Sequence, residues 1–506
     1  VVSAMTSLSR VLGLVRDVVF ASFFGAGAAM DAFIVAFRIP NFLRRLFAEG
    51  GFSQAFIPIL AEYKERRDHA AVRALLNQTT ASLGLTLFIT TVAGMILAPV
   101  VIALFALGWV YEDGQGKFNL AVEMLRITFP YLLFISLTGF AGGILNTYRK
   151  FAVPAFTPVI LNVALIASAV WLAPGFPDEK RIVALAWGVF IAGAVQLLFQ
   201  VPFLLKLRLL PVPRFNADPA GVRRIFKSLL PILFAASVTQ INLLVDTLIA
   251  SFLQTGSISW LYYSDRMVEF PLGVFGIALS TVILPGLSAH HANNAREAYV
   301  KTLDWALRWV ALVALPAAAG LALLAGPILS TLFGYREFSD YDVEMARFSL
   351  VAFAAGLPAF IVIKVLATGF FSIQDTATPV KIGVIAMVSN IALNLLLMGP
   401  LLHAGLALAT SLSAYLNAGL LYYHLQRRRH YLLEPGWGGY SLKLIVALGV
   451  MGVILYLFVP MLGQWQSWDL PARAYGLAFW VAAGAGVYAL TLWLVGVRPH
   501  RMIAHP

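Results

Sequence analysis

Cysteine is absent from all 506 residues. That excludes disulfides, thiolate metal sites and cysteine nucleophiles, and it leaves the compartment open. Charge is scarce as well. Only 12% of residues are charged, where a soluble chain carries about 25%. No stretch between apolar runs is long enough for a separate soluble domain. A histidine–carboxylate metal motif and a phosphate-cradling glycine loop are both missing. A membrane enzyme such as a lipid-phosphate transferase would need a clustered catalytic signature at a membrane face. His290 and His291 stand in a basic loop and read as solvated rather than catalytic. A cleaved leader is not expected, because Arg10, Arg16 and Asp17 interrupt the first apolar segment.

Apolar sequence dominates what is there. Hydrophobic residues make up 60% of the chain, and the mean hydropathy is +0.83. Runs of about 20 apolar residues recur from end to end, each long enough to cross a bilayer core. Backbone groups in lipid must be satisfied internally, which leaves helices or a closed barrel. The runs are continuous rather than alternating, so the barrel is excluded. The expectation is an all-α polytopic membrane protein. Its 14 transmembrane helices fall near 3–25, 28–49, 78–107, 121–146, 153–174, 182–205, 224–253, 258–288, 303–333, 344–371, 377–398, 402–426, 439–462 and 472–497.

The net charge of +12 is not spread evenly. Alternate loops hold Lys64, Arg66, Arg67 and Arg73, then Arg149 and Lys150, then Lys206 to Lys227, Arg296 and Lys301, Lys381, Arg427 to Arg429 with Lys443, and finally Arg498 and Arg501. The opposite loops hold only Lys117, Lys180, Arg181, Arg336 and Arg473. The positive-inside rule then puts both termini in the cytoplasm. Nucleic acid is not the expected partner, since no aromatic platform or basic domain accompanies these residues.

The chain also partly repeats itself. Val122 to Arg126 resembles Val343 to Arg347, and Thr157-Pro158 resembles Thr378-Pro379, both 221 residues apart. Asp17 with Ala21-Ser22-Phe23 resembles Asp246 with Ala250-Ser251-Phe252, 229 apart. Each copy holds about six spans, an even number, so both enter the membrane from the same side. The expected architecture is two parallel six-helix lobes, 1–215 and 216–430, followed by a C-terminal helix pair at 431–506.

A charge at the bilayer centre costs at least about 2.5–3.5 kcal/mol, so such residues normally face a cavity or a partner. Here they concentrate in three spans. The first holds Arg10, Arg16 and Asp17; the second Asp31, Arg38, Arg44, Arg45 and Glu49; the eighth Asp265, Arg266 and Glu269. Arg10 and Asp17 are seven apart and share a helix face, as do Asp31 and Arg38. Pro40 and Pro271 sit beside these clusters and bend their helices. Mutual pairing or snorkelling would account for some of the charges. Arginine nevertheless exceeds nearby carboxylate, and its planar fork suits bidentate phosphate binding. The substrate class these residues favour is a phosphate- or diphosphate-bearing molecule. A second polar group comprises Asp246, Asn390, Asn394 and Thr410. Oxygen-only ligands suit a hard cation such as sodium, and interhelical hydrogen bonding is the alternative reading.

Several motifs then resemble a known family. Ser9-Arg10-Val11-Leu12-Gly13 with Arg16-Asp17, Gly25-Ala26-Gly27 through Asp31-Ala32-Phe33, and Arg38-Ile39-Pro40-Asn41 are similar to the opening of the MurJ (MviN) family of lipid II flippases. So are Arg44-Arg45-Leu46-Phe47-Ala48-Glu49-Gly50, Phe52 to Phe56, and Tyr263-Ser264-Asp265-Arg266 with Glu269-Phe270-Pro271. The resemblance covers essentially the whole chain. It places the chain in the multidrug/oligosaccharidyl-lipid/polysaccharide exporter superfamily and implies transport of lipid II across the bacterial cytoplasmic membrane. It further implies that Arg10, Arg16 and Arg266 line a central cavity and hold the diphosphate. Ser9 lies in the same motif, and Asp31, Arg44 and Glu269 match functional positions. Some members bind sodium through positions that here are Asp246, Asn390, Asn394, Thr410 and the Leu406 carbonyl. Asn394 stands where those members have a second acid. The last two spans would form a groove for the lipid tail.

The implied mechanism is alternating access by a monomer, with no required cofactor and sodium as a candidate ion. The expected partners are lipid II, membrane lipids and other cell-wall synthesis proteins. A drug or polysaccharide exporter of the same superfamily is the nearest rival, and a cationic-drug exporter would show a net acidic cavity. A channel and the membrane enzyme are more distant rivals.

Overall fold

The structure is a computed structural model and describes residues 2–44, 52–111, 115–215, 218–427 and 434–497. Arg45 and Glu49 lie outside the described residues, as do Arg428, Arg429, Arg498 and Arg501 of the basic loops. Among the described residues the secondary structure is helical and no strand occurs. Contacts divide the chain into two compact units, Val1–Ser259 and Trp260–Pro506.

The first unit begins with α1 (Val2–Phe24) and α2 (Ala28–Arg44). Gly25 separates them at φ 64°, where a side chain would strain the left-handed backbone. Then come α3 (Phe52–Arg66), α4 (His69–Ile96), α5 (Ala98–Phe105), the single turn α6 (Gly108–Tyr111), α7 (Gln115–Thr128), α8 (Tyr131–Thr147), α9 (Ala152–Ala167), α10 (Val183–Lys206) and α11 (Pro219–Ala250). Asp68 caps α4 by accepting from Ala71 N at 2.9 Å. Asp218 caps α11 by accepting from Gly221 N at 3.0 Å, and Pro219 follows it at the first helical position. α1 packs on α9, α2 on α7, and α8 on α10.

α12 (Ser257–Pro271) crosses into the second unit. A π-helical turn at Leu272–Gly276 follows Pro271, whose missing N–H breaks the regular ladder. The unit continues with α13 (Ile277–Ala292), α14 (Arg296–Leu323), α15 (Ala325–Leu332), α16 (Asp340–Ser372), α17 (Ala377–Arg427), α18 (Trp437–Phe458), α19 (Leu462–Ser467) and α20 (Leu470–Leu494). His290 and His291 form the last turn of α13 rather than a loop. A capping box of Ser339 and Asp342 starts α16. α17 is kinked at Leu402 (φ 50°, ψ −133°), two residues after Pro400, so it holds two of the expected spans.

Ten helices of the described residues are long and apolar enough to cross a membrane. Three more helices, α1, α2 and α11, overlap the expected segments that start near 3, 28 and 224, and these carry many of the intramembrane charges. Large apolar side chains point outward, Phe88 at 57% and Ile445 at 62% exposed among them. Such exposure suits a lipid solvent, where leucine and phenylalanine gain nothing by burial.

The contact boundary at 259/260 falls one helix beyond the repeat boundary at 215/216, because α11 packs on α3, α4 and α5. Its basic end is tied down by polar pairs. Arg224 Nη2 lies 2.8 Å from Glu62 Oε2, and Tyr63 OH donates to Asp218 Oδ2 at 2.7 Å. The Arg224 guanidinium holds the Glu62 carboxyl below the usual carboxylate range. Burial, and then the Asp218 hydrogen bond, push the Tyr63 phenol up.

In the second unit the C-terminal pair α18 and α20 packs against α14 through Leu312, Leu444, Met451, Leu455, Tyr488 and Leu492. Asp304 is buried and accepts from Trp437 Nε1 at 2.7 Å and Arg308 Nε at 2.6 Å. Toward the other end, Arg473 donates to the carbonyls of Ser330, Gly334 and Trp468 at 2.9–3.1 Å. A helix C-terminus favours that cation, since α15 ends there.

Candidate functional site

α1 positions Ser9, Arg10, Arg16 and Asp17. Arg16 is 7% exposed. Its Nε and Nη2 donate to Asp17 Oδ1 at 3.0 and 2.7 Å, and its Nη1 donates to Asn162 Oδ1 of α9 at 3.1 Å. Asn162 Nδ2 in turn donates to the Ser9 carbonyl at 3.0 Å. One amide on α9 therefore bridges two turns of α1 and aims the guanidinium. Ion pairing offsets the desolvation that a lone buried arginine would suffer. The Phe20 ring lies 5.6 Å from the guanidinium carbon. Arg10 is exposed and Ser9 half-buried.

α2 carries Asp31, Arg38 and Arg44. Asp31 is 2% exposed. Its carboxylate accepts from Gly256 N at 2.7 Å, Ser259 N at 2.9 Å and Ser259 Oγ at 2.6 Å. Arg38 Nη1 donates to Thr247 Oγ1 at 2.6 Å. The seven-residue spacing does put Asp31 and Arg38 on one face, and that face holds residues 247–259. Arg44 Nε donates to Asn41 Oδ1 at 2.9 Å. Asp246, near the end of α11, is half-buried.

In the second unit Arg266 is half-buried. Its Nη1 donates to Glu269 Oε2 at 2.6 Å, and its guanidinium lies over the Tyr262 ring at 5.1 Å. Pairing across one helical turn leaves this arginine beside the surface. Asn390 and Asn394, both buried, form a chain of bonds along α17. Asn394 Nδ2 donates to Asn390 Oδ1 at 3.0 Å, Asn390 Nδ2 to Thr410 Oγ1 at 3.3 Å, and Thr410 Oγ1 to the Leu406 carbonyl at 3.0 Å. Amide, hydroxyl and carbonyl oxygens converge here. They fit a hard monovalent cation in donor type. Among the described residues no cluster of three or more histidine and carboxylate side chains could hold a metal ion.

Asn162, Tyr262 and Thr247 emerge as partners of the site arginines only in the folded chain. Asn162 did carry a signal, as an amide inside the apolar run of α9. Its partner on α1 could not be read from local spacing.

A profile of the family described as Lipid II flippase MurJ matches residues 20–476. The chain belongs to the lipid II flippase MurJ family. The "Probable lipid II flippase MurJ" of Haemophilus influenzae is 49% identical over 510 residues, 99% of each chain. The "Lipid II flippase MurJ" of Burkholderia cenocepacia is 43% identical over 459 residues, covering 90% of this chain and 88% of that one. A solved lipid II flippase MurJ in an inward closed conformation superposes with a TM-score of 0.81 at 27% identity, covering 97% of both chains. An inward-facing multidrug resistance MATE family transporter of the MOP superfamily superposes at 0.67 with 15% identity, over 83% of this chain and 94% of that one. That last likeness is one of fold. MurJ membership makes the chain a bacterial multi-pass membrane transporter.

Proposed function

We propose that this chain flips lipid II from the inner to the outer leaflet of the bacterial cytoplasmic membrane by alternating access. Full-length identity of 49% to a probable lipid II flippase carries this reading. The moving parts are the lobes 1–215 and 216–430, with the helix pair at 431–506 offering the groove for the prenyl tail. Both termini face the cytoplasm, on the side of the basic loops, and the protein works as a monomer.

The MATE-like fold serves several substrates, so the substrate class rests on side chains. Arg10, Arg16 and Arg266 neutralise the diphosphate, whose transfer out of water is otherwise very costly. Asp17 and Asn162 hold Arg16 in one orientation, and Glu269 does the same for Arg266. Ser9 and Arg44 add polar contacts nearby, and Asp31 positions the backbone at 256–259. An interior-negative potential favours export of the anion by about 2.3 kcal/mol per charge per 100 mV. Asn390, Asn394, Thr410, the Leu406 carbonyl and Asp246 are the residues that would hold sodium. A bound cation would supply positive charge among these oxygens.

The test is flipping of purified lipid II in liposomes, with potential and sodium varied separately. Flipping that accelerates with an interior-negative potential is expected. Transport of a cationic dye with no movement of lipid II would overturn the reading.

A further inference from the structure

We propose that Gly108 is the closing residue of a polar seam that shuts the outward exit path, and that its missing side chain sets how tightly the seam closes. The inference rests on the alternating-access reading.

The backbone packs closely where α6 meets the end of α11. Gly108 opens the single-turn helix α6, and its backbone nitrogen donates to Ser251 Oγ at 3.0 Å. A Cβ built on Gly108 would lie 2.3 Å from the Ser251 carbonyl oxygen, 2.5 Å from its carbon and 2.7 Å from Phe252 N. All three are backbone atoms at the end of α11. They cannot swing aside as the tip of a long side chain could. Glycine is thus the residue that allows this approach without moving a chain.

The neighbouring bonds run to the same turn. Lys117 Nζ donates to Thr255 Oγ1 at 2.9 Å, and Asp31 accepts from Gly256 and Ser259. Lys117 stands in the first turn of α7, in one of the sparsely basic segments that the positive-inside rule puts on the outer side, so the seam lies there. Its bonds all involve backbone, hydroxyl or charged groups. Water can replace each of them when the seam parts, so opening leaves no polar group of the seam without a partner. Asp31 and Lys117 supply the attraction, and Gly108 supplies the clearance.

The chain has no cysteine, so a single reporter is easily placed. Ser257 is fully buried beside this seam, and Ser257→Cys changes one atom. Labelling by a membrane-impermeant thiol reagent, applied from the outer face of proteoliposomes, then reports seam opening. Gly108→Ala should raise the labelling rate about tenfold, the population shift expected from one methyl group forced against backbone, and should slow lipid II flipping. Ser251→Ala, which removes the hydrogen bond and adds no volume, should raise labelling less. Unchanged labelling in Gly108→Ala overturns the proposal. An equal rise at a remote buried reporter, Ser349→Cys, also overturns it, because it marks general loosening. Labelling does not depend on the substrate, so failure of the lipid II reading shows separately, as wild-type protein that moves no lipid II.

Discussion

Asp31 on α2 accepts a hydrogen bond from the backbone nitrogen of Gly256 at 2.7 Å, across 225 residues of sequence. With Ser259 N at 2.9 Å, this makes Asp31 a cap for the start of α12, supplied by another helix. First-turn N–H groups have no intrahelical acceptor, and a carboxylate also meets the positive end of the helix dipole. The same α12 carries Arg266 and Glu269, so the cap sets the start of a helix on which two candidate site residues stand.

Asp31→Ala should therefore destabilise the protein. Each buried N–H left without an acceptor costs about 1–3 kcal/mol. Asp31→Asn keeps an acceptor oxygen and should cost less. Thermal melting of the two purified variants gives the order, and equal melting temperatures to wild type would remove the capping role.

Arg16→Ala and Arg266→Ala should abolish flipping while the protein still inserts. Asn162→Leu should slow flipping by about tenfold, since it releases one charge-assisted bond that aims Arg16, worth about 1.5–3 kcal/mol. The assay is support of peptidoglycan synthesis alongside membrane-fraction abundance. Normal synthesis by either arginine variant would end the anion-clamp reading.

Sodium dependence should follow the charge at position 394. Asn394→Asp adds a carboxylate beside Asn390 and should enlarge the rise in melting temperature on adding sodium, as ligand linkage requires. Thr410→Val removes an oxygen and should reduce that rise. Identical sodium responses in all three proteins would remove these residues from any cation site.

The tie between α3 and α11 should weaken in acid. Arg224 depresses the Glu62 pKa below its ordinary 4.5. A depressed carboxylate stabilises the fold fully above the unfolded value and loses that contribution as pH falls through the lower folded value. Hydrogen exchange in α3 should accordingly rise below about pH 4.5. Glu62→Gln should remove this acid-dependent increment, and its persistence in that variant would assign it elsewhere. The pair is solvent-exposed, so the effect is small and declines with salt.

By itself the sequence determined the class of the protein. Apolar run length dictates membrane helices because the bilayer has one thickness and no water. Loop charge asymmetry and the internal repeat are also one-dimensional signals, and so is an arginine standing in an apolar run. Asn390 and Asn394, four apart, could be placed on one face from spacing, and they do bond to each other. Tertiary structure alone decided who meets whom. Arg16 and Asn162 are 146 residues apart, and no periodicity links α1 to α9. Asp31 reads as an intramembrane charge in sequence and becomes a helix cap only when residues 256–259 arrive beside it. Gly108 reads as an unremarked loop glycine until Ser251 approaches closer than a side chain would allow. Local chemistry selects helices and their solvent, whereas hydrogen-bond partners and close contacts depend on how distant helices pack.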